Sequence, residues 1–461
     1  VRMADEAAHL GAAPSTESYL RIDKIINAAK RHGVDAIHPG YGFLSENAQF
    51  AEACDEAGVV FIGPSAAAIR AMGSKTAARK TAIAIGAPVV PGTEDAVTDP
   101  AEAREIAARI GYPVLIKAAA GGGGKGMRLV DSESELDAAL RDAASEAERA
   151  FSNASVYIEK FVAKPRHIEI QIMGDRFGNM VHFGERECSI QRRHQKVIEE
   201  CPSPLVAEHP EMRQAMGAAA LNIAKAVGYY NAGTMEFLVD ADRNFYFLEM
   251  NTRLQVEHPV TELATGFDLV HMQLRIAAGE RLPVEQADIR WRGSAIECRI
   301  YAEDPNNGFL PSPGKMLHVE RPAGPGIRLD TGIYPGWEVP MDYDPLLAKL
   351  AVWAETRQDA IARMKRALAE YYVSGIRTNI SFFRQILEDP EFCAGRLHTG
   401  FIEEFFRRSG EPPEKQDSEY ETVAALAAAM FSLGVKKPAA SGSRSAPASR
   451  WLSQGRDQAL R

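Results

Sequence analysis

The sequence predicts an α/β unit joined to larger α+β units, on three observations. Short apolar strands alternate with helical segments over residues 1–74. Strands then dominate from Arg166 to about Val260. Between these regions, a run of glycines joins two apolar strands rather than a strand to a helix. Alternation of strand and helix predicts a parallel sheet, and strand-rich stretches beside segregated helices predict α+β packing.

In order, Ile22, Ile25, Ile26 and Ala29 fall at helical spacing and predict a helix to His32. Val34–Ile37 reads as a short buried strand, followed by the loop His38–Ser45. Glu46–Ala57 is predicted helical, and Val59–Ile62 is a strand closed by Gly63-Pro64. Ile69–Ile85 reads as one helix. From about 90 to 162 the pattern is helix (100–110), strand (113–117), glycine loop, strand (127–130), helix (134–150) and strand (156–161). A helix over 210–227 interrupts the strand-rich stretch. Strands near 295–301 and 348–353 precede helices at 357–371 and 380–387. Tyr420–Phe431 has one further helical pattern, and Lys436–Arg450 has linker composition.

The chain has 461 residues, 46% of them hydrophobic, and a net charge of −9. At about 150 residues per domain this suggests roughly three domains. The acidic balance argues against nucleic-acid binding, which needs a basic face. No apolar run reaches the ~18 residues of a membrane span. The five cysteines are scattered, without a C-x-x-C pair, which reads as reduced thiols. The chain begins at Val1 with a charged, helix-like segment instead of the central strand and glycine turn that usually open such a domain, so preceding residues are expected.

Gly121–Gly126 satisfies G-x-G-x-x-G, but a dinucleotide fingerprint requires a helix next. Here a strand follows, and Lys125 precedes Gly126 rather than Ser or Thr, so the loop is no Walker A motif either. It reads as a hairpin flap whose bare N–H groups could cover phosphates. Lys117, on the preceding apolar strand, calls for an anionic partner.

Residues 233–251 read as a hairpin whose turn lies between Asp242 and Arg243. That register sets Glu236 opposite Glu249, Leu238 opposite Phe247 and Thr234 opposite Asn251. Met235, Phe237, Val239, Tyr246, Leu248 and Met250 fall on the core face. Facing glutamates repel, and a divalent cation would relieve them. An all-oxygen site suits Mg²⁺ completed by phosphates and water. The polar alternation continues through Asn251, Arg253, Gln255 and Glu257 as a reaction floor, and Gln191–Lys196 forms a basic cluster.

Together these strings resemble the biotin carboxylase component of biotin-dependent carboxylases, within the ATP-grasp superfamily. The resemblance is carried by Ile37–Asn47, Gly121–Met127, Gln191–Lys196, Phe247–Thr261 and Glu303–Pro305, and extends over roughly residues 1–406. It implies an N-terminal α/β domain (1–74), an ATP-grasp domain (75–275) with a lid (89–162), a C-terminal domain (276–406) and a helix plus flexible tail (407–461).

The implied reaction carboxylates biotin from bicarbonate and ATP through carboxyphosphate, as the first half-reaction of an acyl-CoA carboxylase. By the same resemblance Lys75 and Lys117 hold phosphates, with Gly122, Gly123, Gly124 and Met127 in the flap. Glu159, Lys160, Val162, His167, Gln191, His194 and Leu238 line the nucleotide pocket. Glu236, Glu249 and Asn251 bind Mg²⁺ or Mn²⁺. Lys196, Arg253, Gln255 and Val256 bind bicarbonate, Glu257 is the general base, and Arg328 steadies the biotin enolate.

Implied partners are a biotin carboxyl carrier protein or domain, carboxyltransferase subunits and a second copy in a homodimer. The implied compartment is the cytoplasm, or the mitochondrial matrix in a eukaryote. The Asn-Arg-Gly-Glu string of the family's first domain and the carrier's Met-Lys-Met string are absent. Alternatives are another carboxyphosphate-forming ligase, such as a carbamoyl-phosphate synthetase half, an NAD(P)-dependent oxidoreductase, and a non-catalytic ATP-binding scaffold.

Overall fold

The computed structural model describes residues 3–410, apart from 74, 94, 98, 119–126, 152 and 153. The expected tail helix and linker, and Gly122, Gly123 and Gly124 of the flap, lie outside the described residues. So does the side chain of Lys75.

The N-terminal region holds helix Ile22–His32 (α1), strand Ala36–Ile37 (β1), helix Ala48–Glu56 (α2) and strand Val60–Phe61 (β2). The two strands pair in parallel, as their alternation with helices predicts. Gly33 ends α1 in the left-handed region, at φ 61, where a side chain is strained. Glu46 belongs to a separate 3-10 turn, Phe43–Glu46, because Asn47 caps α2 by accepting from the Phe50 N–H.

The predicted 69–85 helix is instead two helices, Ala66–Gly73 (α3) and Lys75–Ala84 (α4). Helices Pro100–Ile110 (α5) and Glu133–Phe151 (α6) cover a three-stranded antiparallel sheet of Val114–Ala118 (β3), Arg128–Val130 (β4) and Val156–Lys160 (β5). The glycine loop therefore does join two antiparallel strands. Val114, Ile116, Val130 and Ile158, all fully buried, anchor this small core.

The main sheet has eight strands. They are Arg166–Gly174 (β6), Met180–Arg192 (β7), Gln195–Cys201 (β8), Asn231–Val239 (β9), Phe245–Asn251 (β10), Ser294–Tyr301 (β11), Ile327–Thr331 (β16) and Leu346–Ala354 (β18). Short ladders pair Glu303–Asp304 (β12) with Leu310–Pro311 (β13), Gly314–Lys315 (β14) with Glu338–Val339 (β17), and His318–Glu320 (β15) with Tyr372–Ser374 (β19). The main order is β10-β9-β6-β7-β8-β11-β18-β16, antiparallel throughout.

Pro204–Glu208 (α7) and Pro210–Ala226 (α8) follow β8, and α8 packs its Met216, Ala220 and Ile223 on Ile168, Ile170 and Phe237. His258–Thr265 (α9) and Leu269–Ala277 (α10) precede β11. Arg357–Glu370 (α11), Ile380–Ile386 (α12), Pro390–Cys393 (α13) and Phe401–Ser409 (α14) build the C-terminal core, with Ile296, Cys298 and Ile300 facing Met364 and Phe383. β8 and β11 pair directly, Cys201 with Ala295 and Glu199 with Glu297, so one sheet runs across the expected 275/276 boundary. Among the described residues no helix is long and apolar enough to cross a membrane.

Candidate active site

The β9–β10 hairpin fixes the first part of the site. Glu236 pairs with Glu249 and Thr234 with Asn251, in the register the sequence predicts. A bulge at Leu248 then shifts the ladder by one residue. Leu238 consequently faces Tyr246, not Phe247 as expected. An extra residue turns the following side chain to the other face. Phe247 and Phe245 thus enter the core in place of Tyr246 and Leu248, each edge-on to Phe237.

Beyond β10, residues 252–257 form a loop, not the extended edge strand that the polar alternation suggested. This loop folds Gln255 and Glu257 onto the sheet. Lys196, from β8, donates to Glu169 Oε2 at 2.5 Å and to Glu236 Oε1 and Glu257 Oε1, both at 2.8 Å. Asn251 Nδ2 and Gln255 Nε2 also donate to Glu236 Oε1, at 2.8 and 2.9 Å. Glu257 Oε2 accepts from Arg299 at 2.9 Å.

These groups are buried, and burial alone would neutralise them. The opposite charges win. Burial raises Glu257, but Lys196, then Arg299 and Arg186, hold it well below the usual carboxylate range. Burial works the same way on Glu236, where Lys196 and His167 overcome it. Burial lowers Lys196, yet Glu169, Glu236 and Glu257 keep it firmly protonated. His167 Nε2 lies 3.0 Å from Glu236 Oε2, an ion-pair contact without hydrogen-bond alignment.

Arg186, absent from the sequence-based expectations, is the hub. Fully buried on β7, it donates to Glu169, Gln171, Thr261, Thr234 and Gln255. Its bond to Gln255 Oε1 is 2.8 Å and orients that amide toward Glu236.

Two branches leave the centre. Arg253 donates through Nη2 to Asn251 Oδ1 and through Nε to Glu46 Oε2, each 2.9 Å, and Glu46 Oε1 accepts from the Thr252 N–H. The other branch starts at the Val256 carbonyl, which accepts from Lys349 Nζ at 2.9 Å. Lys349 lies 3.3 Å from Asp330 Oδ2. Asp330 is bound side-on by Arg328, with both bonds 2.9 Å, and Glu262 accepts a third bond from that guanidinium at 2.5 Å. Against burial, Asp330 and Glu262 hold Arg328 above its ordinary value.

Among the residues expected to face the nucleotide, Lys117 Nζ donates to Glu159 Oε2 at 2.5 Å, so Glu159 is the anion that the lysine requires. Buried Arg79 reaches the other Glu159 oxygen at 3.5 Å. Lys160 spends its ammonium on the carbonyls of Gly111 and Tyr112, at 3.0 and 2.8 Å, and its N–H donates to the Pro91 carbonyl at 2.7 Å. Met127 lies just before β4 and Val162 just after β5, both half-buried. Leu238 pairs with His167 across β9 and β6. Gln191 is tied to the Cys188 carbonyl at 2.9 Å. His194 is exposed at the tip of the β7–β8 hairpin, where it and Arg193 both have positive φ, 66° and 51°. That geometry is demanded by a two-residue hairpin turn.

His167, Glu169 and Glu236 bring potential ligand atoms within 4.8 Å of one another, but Lys196 already bonds to two of them. The facing carboxylates of the hairpin and the Asn251 amide offer oxygen donors, the set that suits Mg²⁺.

Three family models match in succession. Residues 1–69 match the biotin carboxylase N-terminal domain, 74–285 the ATP-binding domain of the carbamoyl-phosphate synthase L chain, and 297–404 the biotin carboxylase C-terminal domain. Over 404 residues the chain is 52% identical to the biotin carboxylase of Nostoc sp., spanning 88% of this chain and 90% of that protein. The chain belongs to the biotin carboxylase family.

The flanking biotin carboxylase domains set it apart from a carbamoyl-phosphate synthetase half, whose model matches only the middle segment. The chain is thus an ATP-dependent ligase with the ATP-grasp fold of biotin carboxylases. The crystal structure of the Hydrogenobacter thermophilus 2-oxoglutarate carboxylase biotin carboxylase domain dimer, with MgADP, ADP and bicarbonate, is 47% identical. It superposes with a TM-score of 0.82 over 88% of each chain. Longer relatives also match: the chain spans 56% of the mitochondrial methylcrotonoyl-CoA carboxylase subunit alpha of Mus musculus, at 52% identity.

Proposed function

We propose that the hydrogen-bonded cluster from Glu236 through Lys196 to Glu257, and its branch through Val256, Lys349 and Asp330 to Arg328, is the reaction centre for biotin carboxylation. The observation that carries this is the joining of the two ends: the Lys196–Glu257 ion pair and an arginine held by carboxylates are linked through the Val256 carbonyl, Lys349 and Asp330.

Glu257 is ionised but pinned between Lys196 and Arg299, so in this state it is a poor base. Bicarbonate beside Lys196 and Arg253 would draw Lys196 away from Glu257. Losing that partner raises the carboxylate's basicity, and Glu257 then takes the bicarbonate proton. The oxyanion attacks the γ-phosphorus and ADP departs, leaving carboxyphosphate. This breaks down to CO₂ and phosphate. Phosphate removes the biotin ureido proton, Arg328 stabilises the enolate, and the ureido nitrogen attacks CO₂.

Glu236, Glu249 and Asn251 would hold Mg²⁺ or Mn²⁺, which neutralises phosphate charge when bound. As arranged, the Asn251 oxygen accepts from Arg253. Lys75, Lys117 and the flap glycines would meet the phosphates, Lys117 leaving Glu159 to do so. Glu159, Lys160, Val162, His167, Gln191, His194 and Leu238 would line the base and ribose.

The carboxyl group then passes to an acyl-CoA acceptor, with a biotin carrier and carboxyltransferase as partners. A homodimer and a cytoplasmic or mitochondrial-matrix setting complete the proposal. The test is ADP release from MgATP, with bicarbonate and biotin added singly and together. Stimulation only with both is expected. A folded, ATP-binding sample that shows none would overturn the assignment.

A further inference from the structure

Glu297, at the middle of β11, is fully buried, and neither of its carboxylate oxygens is hydrogen-bonded among the described residues. An ionised carboxylate in that state is far costlier than a neutral acid. Directly across the ladder stands Glu199 on β8, also fully buried. Glu199 Oε1 accepts from Arg299 Nε at 2.6 Å, while its other oxygen has no hydrogen-bond partner among the described residues. Facing acids in a dry sheet do not both ionise.

The cations nearby are already engaged. Arg299 bridges Glu199 and Glu257. Lys349, on the neighbouring β18, holds the Val256 carbonyl and Asp330. Helix α9, packed on β11, presents His258 and Glu262. His258 is hydrogen-bonded to the Gln255 carbonyl and kept neutral by burial and then Lys349, while Glu262 is bonded to Arg328.

Resting on the biotin carboxylase reading, we propose that the Glu199–Glu297 pair carries one proton in the working enzyme, resident on Glu297. Glu297 thereby acts as a positioning residue. Neutral, it leaves Arg299 to Glu257 and Lys349 to the Val256 carbonyl. Ionised, it competes for both cations, so that Glu257 and the bicarbonate loop lose the partners that hold them in position, a loss of alignment distinct from the basicity that Lys196 controls. Burial foremost, opposed by Lys349 and assisted by Glu199 and Glu257, lifts the Glu297 carboxyl to about 8, so the competition begins just above neutrality. The two carboxyls titrate as a pair.

The test is the pH profile of bicarbonate- and biotin-dependent ADP formation for the wild-type chain and Glu297→Gln, a permanently neutral isostere. The variant should work within about threefold of wild type near neutrality. Above about pH 8 the wild-type rate should fall about tenfold per pH unit while the variant holds its rate longer. Superposable profiles would overturn the proposal. So would a folded variant more than about a hundredfold slower near neutrality, since that would mean the charge itself is needed.

If the variant does not fold, infrared spectroscopy of the wild-type chain decides. A protonated-carboxyl C=O band that vanishes in step with the rate supports the proposal, and its absence at neutral pH refutes it. A wild-type chain that lacks the stimulated rate at every pH would instead strike at the biotin carboxylase reading.

Discussion

Replacing Lys196 by Met removes the one ammonium shared by Glu169, Glu236 and Glu257. The three carboxylates stay buried, with Arg186, His167 and Arg299 as their remaining partners. Breaking a buried ion pair by deleting one partner costs about 3–5 kcal/mol, because the charge left behind stays desolvated. A solvated pair is worth only about 0–1 kcal/mol.

The loss also has a pH signature. In the wild type, Glu236 and Glu257 sit well below the ordinary carboxylate value of 4.5. Their contribution is therefore complete above that value and is lost as pH falls through the folded one. Without Lys196 the carboxylates repel, and their folded values move up. The variant's deficit is then greatest at neutral pH and shrinks as pH falls toward about 5. Urea unfolding of both proteins between about pH 5 and pH 8 measures this. Adding Glu257→Gln to Lys196→Met should recover part of the loss, since one repelling charge is gone. A deficit under about 1 kcal/mol, or one flat across pH, would refute the reasoning.

Glu257→Gln should leave nucleotide binding intact, seen by ATP titration, and lower bicarbonate-dependent turnover by about 10²–10⁴-fold. Unchanged turnover would remove the base. Glu249→Gln should raise the Mg²⁺ concentration needed for half-maximal ADP release, and an unaltered titration would move the metal off the hairpin. Glu46→Gln weakens the carboxylate grip on Arg253 and Thr252. It should raise the KM for bicarbonate by about tenfold with little change in kcat, about 1.4 kcal/mol of binding. An equal fall in kcat would mean that Glu46 serves the chemical step instead.

Much of the site was legible because it is local. A single hairpin register brings Glu236, Glu249, Thr234 and Asn251 together, and alternation alone predicts it. The bulge at Leu248 was not legible, because an extra residue leaves no compositional mark. The partners that hold the site were missed for a different reason. Arg186, Glu169, Arg299, Lys349 and Glu46 come from separate strands and turns, and Arg253 meets Glu46 across 207 residues of sequence. Each looks alone like an ordinary charged residue of a solvated strand face. Only the pairing of β6, β7, β8, β11 and β18 in one sheet shows that the first four are buried and paired, while Glu46 meets Arg253 from a half-exposed turn. The Lys160 side chain shows the same dependence on distant partners: its neighbours in sequence suggest the nucleotide, while the Gly111 and Tyr112 carbonyls hold its ammonium.

The ladder between β8 and β11 bears on how this enzyme can be cut and recombined. A fragment ending after α10 would keep every expected metal and bicarbonate residue. It would also strip β8 of its partner along Ile198–Cys201, exposing a row of bare N–H and C=O groups and leaving Glu199 and Glu200 without their arginine partners Arg299 and Arg357. Such an edge invites pairing with other chains. Grafting a C-terminal portion from a relative at residue 276 meets the same obstacle, since the graft must reproduce the register of Ala295 with Cys201 and Glu297 with Glu199. Exchange is better placed within the expected lid (89–162), where α5, α6 and β3–β5 close a core of their own and the described ladder contact with the main sheet's hairpin is that of Val89, ahead of these elements, with Phe247.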